Sequence, residues 1–143
     1  MKKIAMVLMS VLFVSLLFSA AFAGMNTRVV TNVTTNEVNR AAMAIAFTRA
    51  MMTTKGMEAT LFFNVYGVEL VNKTRPSPIY PTGQNIAQML AEFMKDGGTV
   101  LACPMCMKHV GGMTNADLLP GVTSAKGAGL EAATRPDTLV LSY

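Results

Sequence analysis

The chain changes its hydrophobic period several times, and each change marks an element. TRVVTNV, residues 27–33, is a β-branched run and predicts a strand. Thr34 or Thr35 is then expected to cap a helix. In EVNRAAMAIAFTRAMMTTKG the apolar positions Val38, Ala42, Ile45, Ala46 and Met52 fall close to helical spacing, and Gly56 suits the position just past the helix end. LFFNVY is nearly continuous in apolar character, as in a strand covered on both faces, and Gly67 interrupts it. RPSPIYPTG, residues 75–83, is read as a loop because of its three prolines. QNIAQMLAEFMKDGG carries the stripe Ile86, Met89, Leu90 and Phe93, which predicts a second amphipathic helix stopped by Gly97 and Gly98.

TVLAC predicts a third strand with Cys103 at its carboxyl end. Pro104 sits where a helix can begin, so PMCMKHVGG is read as one or two helical turns closed by glycines. NADLL suggests a further short helix and GVTS a short strand. AKGAGLEAATRP is read as a helix despite its glycines, and DTLVLSY as the closing strand. Strands alternating with helices argue for an α/β layer fold around a mainly parallel sheet of about five strands. Chemistry in such folds gathers at the carboxyl ends of the strands. Asn32 and Thr34 fall at the first such end, Tyr66 and Gly67 after the second, and Cys103 at the third.

The first residues alter the compartment. MKK is a basic start, IAMVLMSVLFVSLLF is an uncharged apolar run, and SAAFA sets Ala21 and Ala23 in the spacing of a cleavage site. This is the pattern of a secretory signal peptide, residues 1–23, ahead of a single domain over 24–143. The apolar run, about 15 residues, is short of the roughly 20 that a spanning helix needs. An exported, periplasmic protein with no membrane association after cleavage is expected. The net charge of +4 falls to about +2 once Lys2 and Lys3 leave. The remaining basic residues are scattered, which excludes a nucleic-acid stripe. There is no phosphate-binding glycine loop and no cluster of carboxylates: Glu37, Glu58, Glu69 and Glu92 are spread along the chain.

The chemistry concentrates in LACPMCMKHVGG, residues 101–112. It holds both cysteines of the chain, Cys103 and Cys106, and its one histidine, His109. Thiols react as thiolates, and a helix amino terminus favours the thiolate. Cys103 directly precedes the predicted helix start, and Lys108 or His109 adds positive field. Cys103 is therefore the nucleophile candidate, and Cys106, one turn on, has the reach of a resolving thiol. An exported chain also allows the pair to close into a disulfide. Four readings follow: a sulfur carrier, a dithiol–disulfide oxidoreductase, a copper-type metal module using Cys103, Cys106 and His109, or an inert pair with a structural role. Structural zinc needs four ligands, more than the chain's cysteines and histidine supply, and no metal or other cofactor is expected. Met43, Met89 and Met94 lie on predicted helix stripes, and core filling accounts for them.

The segments VVTNVTTNEVNRAAMAIAFTRAMMTTKGMEATLFFNVYGVEL, GGTVLACPMC, DLLPGV and DTLVLSY stand in an order and spacing that resemble the DsrE/DsrF-like sulfur-relay proteins. The resemblance covers most of the chain after the leader. It implies a flavodoxin-like three-layer α/β subunit that assembles as a homotrimer or homohexamer. It also implies that Cys103 carries sulfur as a persulfide and that Cys106 matches the second cysteine of relatives with a C-x-x-C pair. Asn32, Thr34, Tyr66, Gly67, Pro104, Lys108 and His109 are then expected to support the site. The implied partners are sulfur donor and acceptor proteins or small sulfur compounds. The export signal departs from the cytoplasmic setting of the well-understood relays.

Overall fold

A computed structural model describes residues 26–143; the leader expected at 1–23 lies outside the described residues. Four strands, β1 (Arg28–Val33), β2 (Glu58–Phe63), β3 (Thr99–Ala102) and β4 (Thr138–Ser142), form one sheet in the order β3-β2-β1-β4. Every pairing is parallel, with Asn32 beside Phe62 and Ser142 and Phe63 beside Ala102. The expected fifth strand, GVTS, is reduced to an isolated bridge between Thr123 and Leu101. Thr123 exchanges two backbone hydrogen bonds with Val100 and Ala102, and the chain then turns at Ala125.

The helices are α1 (Val38–Lys55), α2 (Ile86–Lys95), the single turn α3 (Pro104–Cys106) and α4 (Ala128–Thr134). Because strand side chains alternate, the odd positions of β1 and β2 face α1 and the even positions face α4. Val29, Val33, Leu61 and Phe63 are fully buried beneath α1 and α2, with Ile45, Leu90 and Phe93. The buried side of α1 is mostly alanine (Ala41, Ala42, Ala44), which lets the helix lie close to the sheet. Thr31 of β1 and Thr48 of α1 meet in this core, 2.7 Å between hydroxyls. Thr48 passes its own proton to the Ala44 carbonyl at 2.6 Å, so Thr31 is the donor of the pair.

The cap of α1 differs from expectation. The capping residue is Glu37, whose carboxylate accepts from the Asn39 and Arg40 backbone N–H groups, each at 2.8 Å. Thr34 is unavailable for this because its hydroxyl donates to the Tyr143 carbonyl at 2.6 Å. Thr35 instead accepts from the Glu37 N–H at 3.0 Å and shapes the turn before the cap. On α2, Asn85 and Gln88 form a reciprocal capping box. Arg49 of α1 ties the two helices together through Glu92 at 2.7 Å and Asp96 at 2.6 Å.

After β2 the chain does not continue as a strand. Val65–Val71 winds into a 3-10 helix that leans on the end of β1. α3 runs into a wide turn of π-helix, Met107–Gly111, closed by Gly112 in the left-handed conformation.

Candidate functional site

Cys103 caps α3 at the carboxyl end of β3. Its N–H continues the ladder to the Phe63 carbonyl at 2.9 Å, which fixes the backbone where the strand ends. Pro104 follows as the first helical residue, where its missing N–H costs nothing. The Cys103 sulfur accepts the Cys106 backbone N–H at 3.4 Å. Both cysteines are free thiols and half-buried.

The Cys106 thiol is held above the ordinary thiol range, first by burial and then by its hydrogen bond to Cys103; the Val65 backbone N–H opposes the shift. Cys106 therefore keeps its proton and directs it at Cys103. The Cys103 sulfur thus meets the backbone N–H of Cys106 and lies beside its thiol. A sulfur at a strand end that accepts a backbone N–H has the placement of a nucleophile candidate.

Cys103 opens into a cavity of about 640 Å3 on the α4 side of the sheet. Asn32 and Pro104 line this cavity, together with Phe62, Met105, Lys126 and the small residues of α4. Asn32 is held on both sides: its carbonyl accepts from Asn64 at 3.2 Å and its amide donates to the Leu141 carbonyl at 3.4 Å.

The other expected support residues play different parts. Thr34 secures the chain terminus at Tyr143. The Tyr66 N–H donates to the Thr34 carbonyl at 3.1 Å while its side chain is exposed. Gly67 is buried against the end of β1. Lys108 and His109 lie exposed on the π-helical turn. Among the described residues, no three His, Cys, Asp or Glu side chains come together to hold a metal ion. The three-ligand metal reading is thereby corrected: the wide turn after Cys106 carries His109 round to solvent instead of back over the cysteines.

Three contributors were missed in the sequence. Asn64 orients Asn32. Val65, a β-branched residue at φ 48°, presents its N–H to Cys106. α4 walls the cavity because Gly129 lets the helix settle on the Phe62 ring, where a β-carbon would stand 2.4 Å away. Only the last had a readable signal, the alternation that puts Phe62 on the same face as Asn32, with glycine and alanine following at helical spacing in AKGAGLEAA.

A parallel α/β sheet with a dithiol at one strand end is the class that fold and site define. The chain belongs to the DsrE/DsrF-like family, whose model matches residues 27–139. Among solved structures it is similar in fold to the ychN protein from E. coli, with a TM-score of 0.65 and 18% identity. That match covers 82% of this chain and 99% of the other. Comparison with curated protein sequences gave no match.

Proposed function

We propose that this protein is an exported sulfur relay that carries sulfane sulfur as a persulfide on Cys103, with Cys106 as the resolving thiol. The observation that carries the reading is the Cys103 sulfur itself, donated to by Cys106 and open to a cavity at a strand end. Membership of the DsrE/DsrF-like family supports a sulfur-relay role at the level of the family. The Cys103 thiolate attacks the sulfane sulfur of a donor, and the donor's remaining fragment leaves with the bonding electron pair. The product is Cys103–S–SH. Resolution follows when Cys106 gives up its proton and attacks the inner sulfur of Cys103, releasing hydrosulfide and leaving a Cys103–Cys106 disulfide. A dithiol reductant then restores both thiols.

Export rests on the leader pattern of residues 1–23. Among the described residues no helix is long and apolar enough to cross a membrane. Assembly as a homotrimer or homohexamer is part of the same proposal. It is supported by Met43 and Phe47, which stand exposed one turn apart on the outer side of α1.

Intact-mass measurement after incubation with polysulfide tests the relay. In Cys106→Ser, which cannot resolve the persulfide, the expected result is a gain of one sulfur atom, removed by reductant and lost when Cys103→Ser is added. No gain of sulfur in Cys106→Ser, with a reversible loss of two hydrogens in the native pair, would make the protein a dithiol–disulfide oxidoreductase instead.

A further inference from the structure

The cavity beside Cys103 is far larger than an inorganic sulfur species requires. Its volume of about 640 Å3 lies within the range of pockets for small organic ligands, roughly 300–1,000 Å3. A site for hydrosulfide or thiosulfate needs only a few water volumes, on the order of 30 Å3 each.

The room comes from the sequence of α4 and its approach. Ala125, Gly127 and Ala133 line the opening, where a larger side chain would take up its room, while Gly129 lies against the Phe62 ring. The remaining surface is apolar, with the Phe62 ring on the sheet side and Leu130 and Met105 at the rim, 71% and 70% exposed. Three of the lining residues carry polar side chains: Cys103, Asn32 and Lys126. Lys126 is the one charged residue of the lining and makes no ion pair among the described residues.

We infer that this cavity binds a small organic sulfane-sulfur donor, an apolar group that ends in an anionic persulfide or thiosulfonate. The inference rests on the persulfide reading of Cys103 and names its substrate class. The apolar body lies in the cavity against Met105, Leu130 and Ala133, and Lys126 pairs with the anionic end. The Cys103 thiolate attacks the terminal sulfur. A new S–S bond forms to Cys103, and the bond between that sulfur and the organic fragment breaks. The fragment departs with the electron pair as a thiolate or a sulfinate. The outer sulfur keeps its negative charge, so the product is the Cys103 persulfide anion, and no proton, outside oxidant or reductant is consumed.

The test compares loading of Cys106→Ser, which keeps the persulfide, by benzenethiosulfonate and by thiosulfate, followed by intact mass, with free cysteine as the reference for intrinsic donor reactivity. Burial of a phenyl group predicts a preference for the organic donor about tenfold or more beyond that reference. Ala133→Phe fills the slot and is expected to remove this preference, slowing benzenethiosulfonate about tenfold more than thiosulfate, since one apolar group decides the difference. Lys126→Gln is expected to raise the half-saturating concentration of benzenethiosulfonate. A donor ratio equal to that of free cysteine overturns the slot and leaves the relay standing. Equal slowing of both donors by Ala133→Phe overturns it as well. If no donor loads Cys103, the relay reading itself falls. Binding of the unreactive analogue benzenesulfonate, measured by calorimetry and weakened by Ala133→Phe, then reads the slot independently, and absence of that binding overturns it.

Discussion

A β-carbon on Gly67 would stand 2.1 Å from the Val33 carbonyl oxygen. The 3-10 helix after β2 therefore lies on the end of β1 at a separation that only glycine allows. The same helix begins with Val65, which faces Cys106, so the contact sets the position of the dithiol's neighbour. Gly67→Ala is expected to destabilise the fold by at least about 3 kcal/mol, because the clashing atom belongs to backbone and cannot swing aside. Urea unfolding measures this. A change below about 1 kcal/mol would mean that the helix can lift from β1 at little cost.

The threonine pair in the core has a direction, and the direction predicts an asymmetry. Thr31 donates to Thr48, and Thr48 donates to the Ala44 carbonyl. Thr31→Val removes one donor and leaves Thr48 bonded, at a cost of about 1 kcal/mol. Thr48→Val strands the buried Thr31 hydroxyl and is expected to cost about 1–3 kcal/mol. The double variant should cost less than the two singles together. Additive costs in the double-mutant cycle would show that the hydroxyls do not depend on each other.

The α/β alternation, the parallel sheet and the place of Cys103 were legible because each rests on local pattern. The stripe of α2, the β-branched run of β1 and the Cys-Pro step at the end of β3 all took the expected form. What could not be read depends on contacts between distant segments. Thr34 fails to cap α1 because Tyr143, far along the chain, takes its hydroxyl. His109 leaves the cysteines because the turn after Cys106 widens, and residue type does not reveal that widening. Val65 carries no sequence mark of its unusual backbone, since valine ordinarily avoids it.

That backbone makes a prediction of its own. Val65 is held at φ 48°, where a β-branched side chain crowds its own carbonyl. Asparagine tolerates this region far better. Val65→Asn is therefore expected to stabilise the protein by about 1 kcal/mol, against the general trend of substitutions. The Cys106 environment should be retained, because the N–H that faces it is kept. A loss of stability would mean that the half-exposed valine side chain contributes more by packing than its backbone costs.

Acid should weaken the fold through four carboxylates held below their ordinary range. Glu58 is held there first by Arg135, Glu69 by Asn36, and Glu37 and Asp117 by backbone N–H groups at their helix starts. A depressed carboxylate favours the folded state above its unfolded value, about 4.3 for glutamate. The contribution is lost as pH falls through the folded values. The urea midpoint should stay level from neutral pH to about pH 5 and then decline. Glu69→Gln should flatten part of that decline. An identical acid profile in this variant would remove Glu69 from the account.

Cys106 predicts the opposite edge of the pH profile. Its proton is retained by burial and by Cys103, so the folded protein favours the thiol form. The stabilisation is fully present below the unfolded thiol value, about 8.5, and is lost as pH rises through the higher folded value. Cys106→Ser should therefore remove part of the alkaline fall in stability. Alkylation reports the same group directly, because iodoacetamide reacts with thiolate. In Cys103→Ser the Cys106 rate should still rise only at higher pH than in a denatured control, since burial is the larger cause. The midpoint should nevertheless lie below that of the native pair, because the Cys103 contact is gone. If the Cys106 profile in this variant coincides with the denatured control, burial does not hold the proton. Cys106 would then ionise as readily as a thiol on an unfolded chain, and the upward shift in the native pair would come from Cys103 alone.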